Sequence, residues 1–255
     1  MNERWKYRLK KECSHSDFFN SLDLDNFLFF IQKKRLTSQN HDTGLAIDWP
    51  HYCLHATSAC GGKNGYCYTF SGFQATKAHD QHVAMVDSFA RRFPEYFAEI
   101  VANEVTQGVS EGKLSSKNLR YSGSGEIHQE HIPALSLIIE HGIHLWGFTR
   151  NINIAIKLNE IGAKAIFSVD STTSPSVVKK ALHNDIPIGY VSSGVNDVPS
   201  FNPLVIFPVH RGGNVNEVAD HPSLCPKVLY DFYHSKRPVG SCQFNCLRCH
   251  LKNKS

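Results

Sequence analysis

The sequence lacks any long apolar run. Patches such as FLFFI at 27–31 are far shorter than the roughly 18 residues that a membrane-spanning helix needs. The first residues, MNERWKYRLKKEC, are basic but contain no apolar signal-peptide stretch. We therefore expect a cytoplasmic protein without membrane contact, in which the eight cysteines stay reduced and are better explained as metal ligands than as disulfides.

The signatures of several enzyme classes are also missing. The chain contains no P-loop and no glycine-rich dinucleotide fingerprint, and none of its 15 histidines has the spacing of a zinc hydrolase. The segment GYVSSGVN does not match the G-x-S-x-G motif of serine hydrolases. A net charge of +4 without a concentrated basic patch gives only weak support for nucleic-acid binding.

From residue 44 onward, short apolar runs alternate with amphipathic stretches. The runs predict strands at 44–49, 118–125, 143–150, 164–170, 187–193 and 203–210, with helices over 78–107 (broken at Pro94), 130–142, 152–162 and 174–185. Six such alternations predict a parallel α/β fold, either open or closed into a barrel. Since the carboxyl ends of parallel strands face one way, functional residues are expected at that edge.

The pattern divides the chain into three segments. Residues 1–43 form an N-terminal helical extension, with a helix predicted over 21–34 and capped by Ser21. Residues 44–220 form the α/β domain, and residues 221–255 form a separate cysteine-rich tail.

Three cysteines follow the first predicted strand of the α/β domain. Cys53, Cys60 and Cys67 lie in a Gly-, Ser- and Asn-rich loop, with six residues between each pair. Three thiolates can hold a [4Fe–4S] cluster that keeps one iron open to another ligand. The alternatives are three unrelated thiols, or a zinc site completed by His51 or His55.

The tail contains a second set of thiols, Cys225, Cys242, Cys246 and Cys249. Four cysteines can close a second [4Fe–4S] cluster, and they can equally form a structural zinc site. The cluster is favoured because a neighbouring three-cysteine cluster would need a source of electrons.

Polar residues end several predicted strands. Gly123 and Gly125 would let a ligand approach the backbone, and Glu126 beside them could receive an ammonium group, although such a turn is commonplace. Ser168, Asp170 and Arg150 suit a ribose hydroxyl or a carboxylate. His210 is a candidate for proton transfer, with a structural histidine as the alternative.

These features together resemble the radical S-adenosylmethionine (SAM) superfamily. More closely, they are similar to an uncharacterised radical-SAM-like iron–sulfur family often encoded by viruses and mobile elements. The resemblance covers about residues 44–250, and the segments that carry it are Cys60…Tyr66-Cys67-Tyr68, RYSGSGE (120–126), LWGFTRN (145–151) and Cys225-Pro226…Cys246-Leu247-Arg248-Cys249. It implies a partial (β/α)6 TIM-like barrel over residues 44–220, with an auxiliary cluster in the tail.

The resemblance also implies roles for individual residues. Cys53, Cys60 and Cys67 would bind a cluster whose open iron is chelated by the amino and carboxylate groups of SAM. Glu126 and its two glycines would meet the ammonium group. If SAM binds there, its carboxylate needs a donor such as Arg150. The residues implied for the adenosine part are Tyr66 near adenine, and Ser168 or Asp170 at the ribose.

The implied function is reductive cleavage of SAM to a 5′-deoxyadenosyl radical that acts on an unknown substrate, with electrons from a flavodoxin- or ferredoxin-type donor. The superfamily's usual Cys-x3-Cys-x2-Cys spacing occurs here in the tail, so which three cysteines hold the SAM-binding cluster stays open. Two alternatives also remain: an iron–sulfur enzyme whose open iron is a Lewis acid without SAM, and a zinc- or cluster-stabilised nucleic-acid-binding module.

Overall fold

A computed structural model describes residues 15–32, 34–40, 44–51, 76–192 and 199–208, together with the single residues 53, 55, 57, 60 and 197. Its centre is a seven-stranded sheet whose strands are β1 (Thr37–Asn40), β2 (Gly44–Asp48), β3 (Asn118–Ser124), β4 (His144–Thr149), β5 (Lys164–Asp170), β6 (Ile188–Ser192) and β7 (Val205–Pro208).

The strands lie in the sheet in the order in which they occur in the chain. β1 is antiparallel to β2, and every other neighbouring pair is parallel. The predicted α/β class with a parallel sheet is therefore confirmed, and β2 to β7 correspond to the six predicted strands. The edge strand β1 was not predicted, because its sequence TSQN carries no apolar pattern.

The helices of the described part of the chain are α1 (Leu24–Ile31), α2 (Lys77–Arg92), α3 (Pro94–Ser110), α4 (Ile132–Glu140), α5 (Ile152–Glu160) and α6 (Pro175–His183). Residues 15–21 are also helical, and Gln129–His131 form a 3₁₀ turn. The predicted break at Pro94 is confirmed, since this proline opens α3, where its missing N–H costs nothing. The predicted Ser21 cap is wrong: Asp23 caps α1 by accepting a hydrogen bond from the Asn26 backbone N–H at 2.9 Å.

The main hydrophobic core lies between one face of the sheet and the helices. Inward side chains of the strands meet buried side chains of α2 to α6, and examples are Ile47, Leu119, Leu145 and Phe167 from the sheet and Phe89, Val101, Leu135, Leu158 and Ala181 from the helices. A smaller cluster of Trp146, Ile166 and Val205 occupies the other face and includes no residue of the named helices.

This one-sided packing follows from the strand order. Right-handed crossovers between strands laid down consecutively place every crossover helix on the same face of the sheet. A doubly wound sheet reverses its strand order and carries helices on both faces. Among the described residues the sheet is open, with β1 and β7 as its edges.

The N-terminal segment is attached to the same core. Phe27 of α1 stacks on Phe89 of α2 with ring centroids 4.9 Å apart. The Glu104 carboxylate on α3 accepts hydrogen bonds from the Leu36 and Thr37 backbone N–H groups and from the Thr37 hydroxyl, at 2.6 to 2.9 Å. These bonds fix the start of β1. The segment boundaries at residues 43 and 220 stay predictions, and residues 221–255 lie outside the described part of the chain.

None of the described helices is long and apolar enough to cross a bilayer.

Candidate functional site

The carboxyl ends of β2 and β3 approach each other closely. The Trp49 backbone N–H donates to the Ser124 carbonyl at 3.0 Å, and the Glu126 N–H donates to the Pro50 carbonyl at 3.3 Å. Gly125 has φ +73°, and a Cβ built on it would lie 2.0 Å from the Trp49 carbonyl oxygen. A Cβ on Gly123 would lie 2.5 Å from Asp48 Oδ1. Contacts within the chain therefore already account for both glycines, and their predicted contact with a ligand stays a prediction.

Glu126 follows β3 and is only 5% exposed. Its carboxylate accepts a hydrogen bond from the Thr149 hydroxyl at 2.6 Å and one from the Arg150 backbone N–H at 3.3 Å. Burial raises the pKa of Glu126 above its ordinary value, and these two hydrogen bonds only partly oppose that effect. Within the described residues, no charged side chain donates a hydrogen bond to this buried carboxylate.

The Arg150 side chain bonds to a different carboxylate. Its Nη1 lies 3.1 Å from Asp170 Oδ2 at the end of β5, and both side chains are largely buried. The other oxygen of Asp170 accepts hydrogen bonds from the Thr172 backbone N–H at 3.0 Å and the Thr172 hydroxyl at 2.7 Å. The residues predicted for a ligand carboxylate and for ribose thus form an ion pair with each other.

The cysteine loop reaches the same edge of the sheet through Thr57. The Thr57 hydroxyl donates to Asp170 Oδ2 and accepts a hydrogen bond from Arg150 Nη1 at 3.2 Å and one from the Cys60 backbone N–H at 3.2 Å. Cys53 and Cys60 are both partly exposed. Thr57 and Cys60 therefore lie near the ends of β4 and β5, although they follow β2 in the chain.

Seven predicted site residues lie outside the described part of the chain, namely Tyr66, Cys67, His210, Cys225, Cys242, Cys246 and Cys249. Ser168 is partly exposed, two residues before Asp170 in β5. No group of three His, Cys, Asp or Glu side chains among the described residues is arranged to hold a metal ion.

Sequence analysis missed a group of histidines at the end of β2. His51 and His79 are fully buried with ring centroids 5.5 Å apart, and His79 Nε2 lies 3.2 Å from the Ser124 hydroxyl oxygen. The His82 ring lies 6.5 Å from that of His79, and burial lowers the pKa of His82. The spacing of His79 and His82, which puts both on one side of α2, is the signal that could have revealed the group.

A second missed network joins the same region to the core. The His131 ring stacks on Trp49 at 4.2 Å, and its Nε2 lies 2.8 Å from Asp87 Oδ1. Arg91 Nη2 lies 2.6 Å from Asp87 Oδ2. Burial would raise the pKa of Asp87, but the hydrogen bonds from His131 and Arg91 outweigh burial and leave it below its ordinary value. This network links α2 to the β2 and β3 ends.

Comparison with known proteins adds nothing to these contacts: no family model, no curated protein and no solved structure matches the chain. The radical SAM resemblance therefore depends on its own short motifs.

Proposed function

We propose that this protein is a cytoplasmic iron–sulfur enzyme of the radical SAM type. The observation that carries the proposal is the position of Thr57 and Cys60. The Thr57 hydroxyl bonds to Arg150 after β4 and to Asp170 at the end of β5, and it accepts from the Cys60 backbone N–H. Glu126 lies at the same edge of the sheet, bonded to Thr149 at the end of β4. The thiolates of Cys53, Cys60 and Cys67 would hold a cluster with one open iron.

The sheet topology supports a partial (β/α)6 barrel. Six parallel strands, β2 to β7, lie in consecutive order, and the helices that connect them pack on one face. Barrel folds are wound in this way, and their functional residues lie at the carboxyl ends of the strands. Thr57 of the cysteine loop, Glu126, Arg150 and Asp170 all occur at those ends.

The donor set suits the proposed cofactors. Cys53 and Cys60, together with Cys67, would hold the cluster, and the tail cysteines would hold a second cluster. Glu126 offers a buried carboxylate that accepts from a hydroxyl and a backbone N–H but from no described cationic side chain, which suits an ammonium group. When both groups are bound, the chemistry supplied is one-electron reductive cleavage of SAM. The electrons would come from a flavodoxin- or ferredoxin-type donor.

The ion pair between Arg150 and Asp170 favours a second candidate function. To bind a carboxylate or a ribose, Arg150 and Asp170 would have to divide their hydrogen-bonding groups between the ligand and each other. A site in which the two remain paired would suit an iron–sulfur enzyme that uses its open iron as a Lewis acid without SAM. SAM binding distinguishes the two functions.

The test begins with anaerobic reconstitution of the full chain. Two [4Fe–4S] clusters predict about eight irons per chain, with electron paramagnetic resonance (EPR) signals on reduction. The reduced protein should then convert SAM to 5′-deoxyadenosine. Iron uptake without SAM binding would favour the Lewis-acid enzyme. Tightly bound zinc in place of iron would instead favour a zinc-stabilised binding module.

Glu126→Gln tests the ligand site itself. A hydrogen bond to a charged group is worth about 1.5–3 kcal/mol, so this change should weaken SAM binding about ten- to a hundredfold in calorimetry, with the iron content unchanged. Glu130→Gln is the matched control, because Glu130 is exposed on the adjacent 3₁₀ turn. Equal SAM affinity in the two variants would remove Glu126 from the site.

A further inference from the structure

The Thr57 hydroxyl uses all of its hydrogen-bonding capacity. It donates to Asp170 Oδ2, and it accepts from Arg150 Nη1 and from the Cys60 backbone N–H, both at 3.2 Å. A hydroxyl has one donor and two acceptor lone pairs, so these three contacts saturate it. One side chain thus joins a backbone group of the cysteine loop to the ends of two strands.

The Asp170 carboxylate, which accepts the hydrogen bond from Thr57, is itself held by other contacts. Asp170 Oδ1 is held by the backbone N–H and hydroxyl of Thr172, and the Asp170 backbone N–H lies 3.0 Å from the Thr173 hydroxyl oxygen. Oδ2 pairs with Arg150 at 3.1 Å. The turn after β5 therefore orients the Asp170 carboxylate independently of Thr57, and the Thr57 hydroxyl donates to this oriented group.

We propose that Thr57 is a positioning residue that fixes Cys60 relative to Arg150, an inference that rests on the function proposed above. In that function Cys60 binds the cluster, and Arg150 binds the carboxylate of a ligand chelated to the same cluster. The separation between the two residues must then match the size of the ligand. The Thr57 hydroxyl sets this separation, because it bonds to both residues.

The contact is tested first in the metal-free, full-length protein. Thr57→Val removes the donor and both acceptors at nearly constant shape, and Thr57→Ser keeps them. Ser176→Ala is the control, since it removes an exposed hydroxyl that lies 2.9 Å from the Ser174 hydroxyl and makes no described contact with Thr57 or Asp170. Hydrogen exchange of the Cys60 amide should be about tenfold faster in Thr57→Val and unchanged in the other two variants.

The positioning role is tested in the reconstituted protein by EPR of the reduced cluster, with and without SAM. At equal iron content, Thr57→Val should bind SAM about tenfold more weakly than wild type and show an altered SAM-dependent signal, whereas Thr57→Ser should restore both. Unchanged amide exchange in Thr57→Val would overturn the contact itself.

Two further results would overturn the positioning role. Faster exchange together with unchanged SAM binding and an unchanged EPR signal would mean that Thr57 only stabilises the loop. Wild-type protein that takes up no iron would overturn the proposed function, and the positioning role with it. Amide exchange would still report in that case whether the Thr57 contact exists, so the two failures are distinguishable.

Discussion

Gly125→Ala perturbs the point where the ends of β2 and β3 are closest. Gly125 has φ +73°, in the left-handed region, and an added Cβ would lie 2.0 Å from the Trp49 carbonyl oxygen and 2.6 Å from that of Pro50. Both atoms belong to the backbone, so no flexible side chain can move aside. The Trp49–Pro50 segment would have to shift, and the hydrogen bonds that join it to Ser124 and Glu126 would be strained.

The expected loss is the sum of two effects. A left-handed conformation costs a residue with a side chain about 1–2 kcal/mol. Forcing extra volume into a packed region costs a further ~1–3 kcal/mol. Gly125→Ala should therefore lower the free energy of unfolding by about 2–5 kcal/mol. Gly142→Ala is the matched control, because Gly142 has φ +76° but no atom within 4 Å of its built Cβ. It should lose only the conformational part, about 1–2 kcal/mol.

Urea unfolding of the metal-free proteins, followed by circular dichroism, measures both changes in free energy. The difference between the two losses in free energy gives the cost of the close approach to Trp49, separate from the cost of the left-handed backbone conformation. If Gly125→Ala were no more destabilising than Gly142→Ala, close packing against Trp49 would not be the reason for this glycine. Contact with a ligand would then regain support as its explanation.

Two further predictions concern stability. Glu104→Gln should lower the free energy of unfolding by about 1–3 kcal/mol, because one amide oxygen cannot replace both carboxylate oxygens that accept from Leu36 and Thr37. Glu99→Gln, on the exposed side of α3, is the control and should be nearly neutral. Equal urea midpoints for the two variants would contradict this prediction. Burial lowers the pKa of His82 below 6.5, so the unfolded chain binds this proton first and stability should fall as pH drops below about 6.5. His82→Gln should weaken that loss in urea unfolding on either side of this pH, and an unchanged pH profile would rule out His82 as its source.

The elements that sequence analysis predicted are those whose pattern is local. The buried runs of β2 to β7 and the amphipathic helices between them are visible within about ten residues each, and Pro94 and Gly142 mark element ends by their own backbone preferences. β1 lacks such a signal. It pairs with β2 along its whole length, and its first residue is also held by Glu104, 67 residues later in the chain, which accepts from the Thr37 backbone N–H in the folded protein.

The same distinction applies to the candidate site. Glu126, Arg150 and Asp170 could be assigned to one edge because the ends of parallel strands face the same way. Their bonding could not be predicted, since it depends on which side chains come within about 3 Å after folding. Thr57 is the clearest case: a threonine in a polar loop carries no signal, and its partner Asp170 lies 113 residues away.

The Glu126 carboxylate at this edge is buried, and its described hydrogen bonds come from a hydroxyl and a backbone N–H. Arg150 pairs with Asp170, so its guanidinium supplies no hydrogen bond to Glu126 within the described residues. Burial of a carboxylate that accepts no hydrogen bond from a cationic side chain favours either its protonated form or a positively charged ligand, and the nearby charge of Arg150 opposes protonation only in part. The raised pKa of Glu126 reflects this choice. If SAM binds at the strand ends as proposed, its ammonium group would add a positive charge beside Glu126 and lower the pKa of that carboxyl, whereas a neutral ligand that excludes water would not. The direction in which the pKa of Glu126 moves on binding would therefore distinguish a cationic ligand from a neutral one.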